Sequence, residues 1–245
     1  MTFVLLHGLG GERAQPLSLF TPALPEGAAV HAPDVRAHGA STLVGGPEHF
    51  TLDALADEIA AGLPTGPLTI LGISMGAALA LRLVRRGDLD IERAVFVRPA
   101  FTDQPLPANL AAFPVMGALL QQHGARRAEK LFRATDYYRE LEAASTLGAA
   151  GAIEQFTKPG VVERAIRLIE IPKNAAFTGA DELALVDVPV TVIAAERDPV
   201  HPVAVAEQWA AGIPGSRLER VPARDDGVRA YVAATRAAVT AAIAR

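Results

Sequence analysis

The stretch Gly72-Ile73-Ser74-Met75-Gly76 restricts this chain more than any other. Before it, Thr69, Ile70 and Leu71 form a short β-rich run. After it, Ala77 to Arg86 is helix-forming and amphipathic. A chain passing from strand directly into helix must turn sharply at Ser74. Glycine at both second neighbours removes the Cβ atoms that would collide where strand and helix cross. The pattern is a G-x-S-x-G nucleophile elbow, which leaves the serine hydroxyl exposed at a helix N-terminus. There the helix dipole favours developing negative charge. Five residues recur by chance, so the surrounding chain has to carry the interpretation.

Three other segments supply that context. Thr2 to Leu6 is an apolar strand running into His7-Gly8-Leu9-Gly10-Gly11. Ala28 to Ala32 is a second short strand, followed by Pro33-Asp34-Val35-Arg36-Ala37-His38-Gly39-Ala40-Ser41. Val190 to Ala195 is a late strand ending in Glu196-Arg197-Asp198-Pro199-Val200-His201-Pro202. With the elbow, these four segments resemble the α/β-hydrolase fold family over nearly the whole chain. The first is similar to that family's oxyanion loop. The second is similar to its D-x-R-G-x-G-x-S loop, with Ala37 in place of the usual glycine. The third is similar to its acid loop, and serine before aspartate is the family's order.

The resemblance implies Ser74 as nucleophile, the backbone N–H groups of Leu9 and Met75 as oxyanion hole, and Asp198 as triad acid. Two preorganised donors facing a tetrahedral oxyanion stabilise the transition state by several kcal/mol. Glu196 and Asp103 are rival carboxylates. The general base does not follow the family pattern. It belongs after the last strand, Leu218 to Val221, where this chain reads Pro222-Ala223-Arg224-Asp225-Asp226-Gly227. No histidine follows His201. A serine triad needs an imidazole to take the hydroxyl proton and return it to the leaving group. The remaining candidates are His201, on the acid's own loop, and His38 and His7, which in the family support their loops. Tyr231 is a poor base at an ordinary phenol pKa of about 10.

Composition removes several classes of function. The 245 residues are 50% hydrophobic and carry a net charge of −4, with no long basic run. Neither nucleic acid nor an anionic membrane is an expected partner. No apolar run approaches eighteen residues, so no transmembrane helix is expected. The absence of cysteine excludes disulfides, zinc-thiolate sites and a thiol nucleophile. The Met1-Thr2-Phe3-Val4 start reads as a core strand and not as a signal peptide, and the absence of cysteine sets the expectation of a cytoplasmic protein. Arginine greatly outnumbers lysine and alanine is abundant, as in a GC-rich bacterial genome. The histidines show no metal-ligand spacing. Gly8-Leu9-Gly10-Gly11 is not a dinucleotide loop, because residue 13 is Arg. No cofactor is expected.

Strands alternate with helices from residue 2 to about 100, which predicts a mostly parallel, doubly wound α/β sheet of about six strands. Thr51 is placed to cap a helix through Leu63, with Phe50 and Leu55 as a hydrophobic staple. From Asp103 to about Leu185 the strand signals give way to helical ones. Helices are predicted over Leu110–His123, Ala125–Thr135, Asp136–Ser145 and Val161–Glu170. The division is therefore core 1–102, helical cap 103–185, and core 186–245. Cap aromatics Phe113, Phe132 and Tyr137, together with His38, are the candidate substrate contacts. Tyr138, Phe156 and Phe177 belong to the same insert and serve either lining or packing. The sequence thus predicts a cofactor-independent serine hydrolase for a small ester or similar acyl substrate. The missing late histidine leaves an alternative, a non-hydrolytic protein of the same fold that binds a small molecule or acts as a lyase or isomerase.

Overall fold

Six parallel strands stand in the order β2-β1-β3-β4-β5-β6 in the computed structural model, which describes residues 1–244. They are β1 (Thr2–Leu6), β2 (Ala29–His31), β3 (Leu68–Ile73), β4 (Ile91–Val97), β5 (Val190–Ala195) and β6 (Arg217–Val221). The four central strands are apolar and buried on both faces, as a parallel sheet covered by helices requires. Alternate side chains leave opposite faces. Val4, Leu6, Ile70, Phe96 and Val192 meet one layer of helices: α2 (Leu52–Ala60), α3 (Met75–Val84) and α9 (Val203–Gly212). Phe3, Leu5, Leu71, Val95 and Ile193 meet the other: α1 (Ala14–Phe20) and α10 (Val228–Ile243). The sheet is therefore doubly wound, as the alternation predicts.

The order reverses at β1. The chain first steps outward to β2, then crosses to β3 on the other side, with Leu6 opposite Gly72. Such a switch point opens a crevice at the carboxyl ends of the strands. The loops after β1 and β3 both begin there, so His7-Gly8-Leu9 and Ser74 become neighbours by topology.

Between β4 and β5 the chain is helical: α4 (Ala112–Arg133), α5 (Asp136–Ala144), α6 (Thr146–Glu154), α7 (Ile166–Glu170) and α8 (Ala180–Leu183). Met116, Leu120, Phe132, Leu141, Phe156 and Leu168 form a separate apolar cluster there. Ile171, Phe177 and Leu183, later in the segment, pack with the sheet instead. Phe177 meets Trp209 edge-on at 5.9 Å, so it serves packing.

Helix boundaries depart from the periodicity at identifiable residues. The two helices expected either side of Gly124 run on as α4, with a break at Gly124 itself (φ 69°, ψ 166°). Residues 161–165 form turns, and the helix begins only at Ile166. Helices α1, α6 and the four-residue α8 escaped the sequence reading; Pro16 interrupts the first pattern, and Gly148 and Gly151 dilute the second. Among the described residues, no helix is long and apolar enough to cross a membrane.

Candidate active site

Ser74 sits between β3 and α3 with φ 56° and ψ −112°. A side-chain-bearing residue pays roughly 1–3 kcal/mol for such a conformation, and surrounding contacts must hold it there. Its N–H donates to Val97 O at 3.0 Å, and its carbonyl accepts from Ala77 N at 2.9 Å and Ala78 N at 3.2 Å. The hydroxyl has no hydrogen-bond partner among the described residues and faces a cavity of about 440 Å³. The N–H of Met75 is the first of helix α3, and neither it nor the N–H of Leu9 donates to a protein acceptor among the described residues. Two unused donors thus lie on the two loops that meet at the switch point.

The histidines separate cleanly by their bonds. His7 Nδ1 lies 2.9 Å from Gly8 O, and its Nε2 accepts from Val35 N at 3.0 Å. His38 Nδ1 lies 2.8 Å from Arg36 O, and its Nε2 accepts from Gly10 N at 2.9 Å. Each ring uses Nδ1 on a carbonyl of its own loop and Nε2 to tie the loop after β1 to the loop after β2. Burial pushes His7 down to about 4 and His38 well below the ordinary imidazole value. Neither has a nitrogen free for Ser74.

His201 differs. Its Nδ1 lies 2.9 Å from Asp198 Oδ2, its Nε2 has no protein partner among the described residues, and the ring lines the same cavity as Ser74. A carboxylate only accepts, so Nδ1 carries the proton and Nε2 presents a lone pair in the neutral ring. Burial lowers the His201 pKa, opposed by the Asp198 charge. For Asp198, burial would raise the carboxyl; the His201 charge and hydrogen bond, with Arg98, overcome it and hold it far below the usual range.

The rival carboxylates lie elsewhere: Glu196 pairs with Arg220 at 3.1 Å, and Asp103 accepts from Gln208 at 3.3 Å. Of the candidate contacts, Phe113 and Tyr137 line the cavity. His38 and Phe132 do not; Phe132 is buried against Tyr138 and Phe156 in the helical segment's own cluster. In the loop after β6, Arg224 lines the cavity, Asp225 binds the start of α6 and Asp226 pairs with Arg197. Arg98, also lining the cavity, was missed by sequence reading. Its signal was a charge closing the buried run Val95-Phe96-Val97, directly before Pro99.

Comparison with known proteins bears on the family and the fold. The family described as alpha/beta hydrolase fold matches residues 2–224. The chain is 32% identical over 235 residues to a pimeloyl-[acyl-carrier protein] methyl ester esterase of Aromatoleum aromaticum, covering 89% of this chain and 87% of that one. An enol-lactonase from Burkholderia xenovorans LB400 superposes with TM-score 0.72 at 21% identity, over 99% of this chain and 91% of that one. A hydrolase from Pseudomonas aeruginosa superposes with TM-score 0.69 at 21% identity, over 97% and 89%.

Proposed function

The chain belongs to the alpha/beta hydrolase fold family, and on that premise we propose that it is a cofactor-independent carboxylic-ester hydrolase working through Ser74, His201 and Asp198. The observation that carries the reading is a shared cavity: a serine on a strained elbow and an imidazole with one nitrogen tied to a carboxylate both open onto it. In the proposed reaction, His201 Nε2 takes the Ser74 proton as Oγ attacks the ester carbonyl. Asp198 stabilises the imidazolium, and the Leu9 and Met75 N–H groups hold the oxyanion. The alcohol leaves with the proton from His201. Water then repeats the steps on the acyl-enzyme, releasing the acid and restoring Ser74.

Residues 103–185 act in this reading as a cap over the site. Leu110, Phe113, Met116 and Leu141 give the cavity an apolar side suited to an acyl chain. The Aromatoleum relative is named for a methyl ester on an acyl chain, so methyl esters of medium acyl chains are the natural substrates to try after p-nitrophenyl esters. Wild type should release p-nitrophenol from short acyl esters, and Ser74→Ala should lose about a thousandfold or more in kcat. His201→Gln should lose a comparable factor. Undiminished hydrolysis by Ser74→Ala would overturn the reading.

A further inference from the structure

The Asp198 carboxylate accepts four hydrogen bonds, and among the described residues only one comes from outside its own loop. Oδ1 receives Val200 N at 3.1 Å and His201 N at 3.2 Å. Oδ2 receives His201 Nδ1 at 2.9 Å and Arg98 Nη1 at 3.0 Å. Arg98 comes from the end of β4, with φ 48° and its N–H donating to Ile193 O at 2.7 Å. The residue before it, Val97, accepts the N–H of Ser74. The Arg98 guanidinium carbon lies 5.5 Å from the centre of the Tyr231 ring, on α10. Arg98 and Asp198 side chains are 9% and 10% exposed. A buried guanidinium is costly unless paired, so its place beside this carboxylate calls for a reason.

Building on the hydrolase reading above, we propose that Arg98 is a positioning residue. It ties the loop bearing both acid and base to the strand supporting the Ser74 backbone, and it shares the Asp198 charge so that His201 enters turnover as a neutral imidazole. The tether matters because acid and base lie three residues apart on one loop. Motion of that loop carries both away from Ser74 together, and a bond between them cannot prevent it. Arg98 Nη1 is the side-chain contact that fixes the carboxylate from a different element. The charge matters because a carboxylate already serving a guanidinium stabilises an imidazolium less.

The groups facing His201 set the sign. Asp198 on its own loop favours the protonated ring. Arg98 from β4 and Arg224 from the loop after β6 disfavour it. Glu140 of α5, Glu154 at the end of α6 and Lys158 beyond it also line the cavity, two negative charges and one positive. Tyr231 of α10 packs its ring against the Arg98 guanidinium. Removing the Arg98 charge leaves Asp198 facing the imidazole alone, so the ring should protonate at higher pH.

The test is an NMR titration of the His201 imidazole, assigned with His201→Gln, alongside the pH profile of kcat/KM. In wild type the midpoint should lie below the ordinary value of about 6.5. In Arg98→Met it should rise by about one pH unit, the acid limb should move with it, and kcat should fall more than KM changes. Arg98→Lys, which keeps the charge, should restore the midpoint. A folded Arg98→Met with an unmoved midpoint would overturn the proposal, since a structural role alone lowers activity or stability without moving a titration. Should Arg98→Met fail to fold, a wild-type midpoint at or above 6.5, or one that differs greatly in Arg98→Lys, would overturn it equally. The titration needs no turnover, so an inactive protein whose His201 responds to Arg98 would sink only the esterase reading.

Discussion

Gly72 and Gly76 decide whether Ser74 can be held where it is. A Cβ on Gly72 would lie 2.1 Å from the Gly76 carbonyl oxygen, and one on Gly76 would lie 2.4 Å from that of Leu6. Both obstacles are backbone, which cannot rotate aside as a side chain can. Gly76→Ala should therefore push α3 off β1, cost about 1–3 kcal/mol of stability, and displace the Met75 N–H together with the hydroxyl. Thermal denaturation and ester turnover read the two effects separately; a variant that melts with wild type and keeps full activity would refute the close packing. The elbow was legible because its constraint is local, five residues long and written in glycine. The proposed base was less legible. Acid and base usually come from different loops, so His201 stood level with His7 and His38 as a candidate. What separates them is a pair of ring-to-backbone bonds spanning 28 residues each, and no local pattern encodes those. Arg98 was hidden for the same reason, since its partner lies 100 residues away.

At the scale of elements, the four central strands were readable as short buried runs, while the helices between β4 and β5 were readable only in part. Their edges are set by contacts to the core. Asp225, in the loop after β6, accepts from Thr146 Oγ1 at 2.8 Å and Leu147 N at 3.0 Å, and also from the Ser145 hydroxyl. Ser145 itself caps α6 through Gly148 N at 2.8 Å. A carboxylate at a helix N-terminus is favourable, and here it joins α6 to the core beside the cavity. The Ser145 hydrogen bond, then that of Leu147 N, lowers the Asp225 pKa. The tie is therefore complete above the ordinary carboxylate range and is lost only as pH falls through the lowered folded value. Asp225→Ala should speed hydrogen exchange in residues 146–154 while leaving β3 and β4 protected, and should raise KM more than it lowers kcat. Unchanged exchange in α6 would show that the tie holds nothing.

Over the whole molecule, the loops after β1, β3, β4, β5 and β6 line one cavity at one end of the sheet, and two buried imidazoles join the first of them to the loop after β2. The His7 and His38 ring centres lie 4.9 Å apart. Each accepts an N–H at Nε2, so protonating either breaks a loop-to-loop bond and leaves a charge in an apolar site. The unfolded chain takes up these protons near 6.5, whereas folded His7 resists until about 4. Stability is then whole above 6.5 and drains as pH falls toward 4, because only the unfolded state gains the proton in that window. His7 alone should account for a loss of about 2 kcal/mol between pH 7 and pH 5. His38, and His201 by its own lowered pKa, add losses of the same sign. Carboxylates held low, such as Asp198, do not offset this, since they titrate below the window in the fold. Urea denaturation at pH 7 and pH 5 measures the sum. The midpoint should fall with pH at nearly constant m-value, and His7→Gln, weaker throughout, should show a shallower slope. Equal midpoints at the two pH values would mean that these rings are not buried as neutral imidazoles, and the loop carrying Leu9 and Gly10 would need some other anchor.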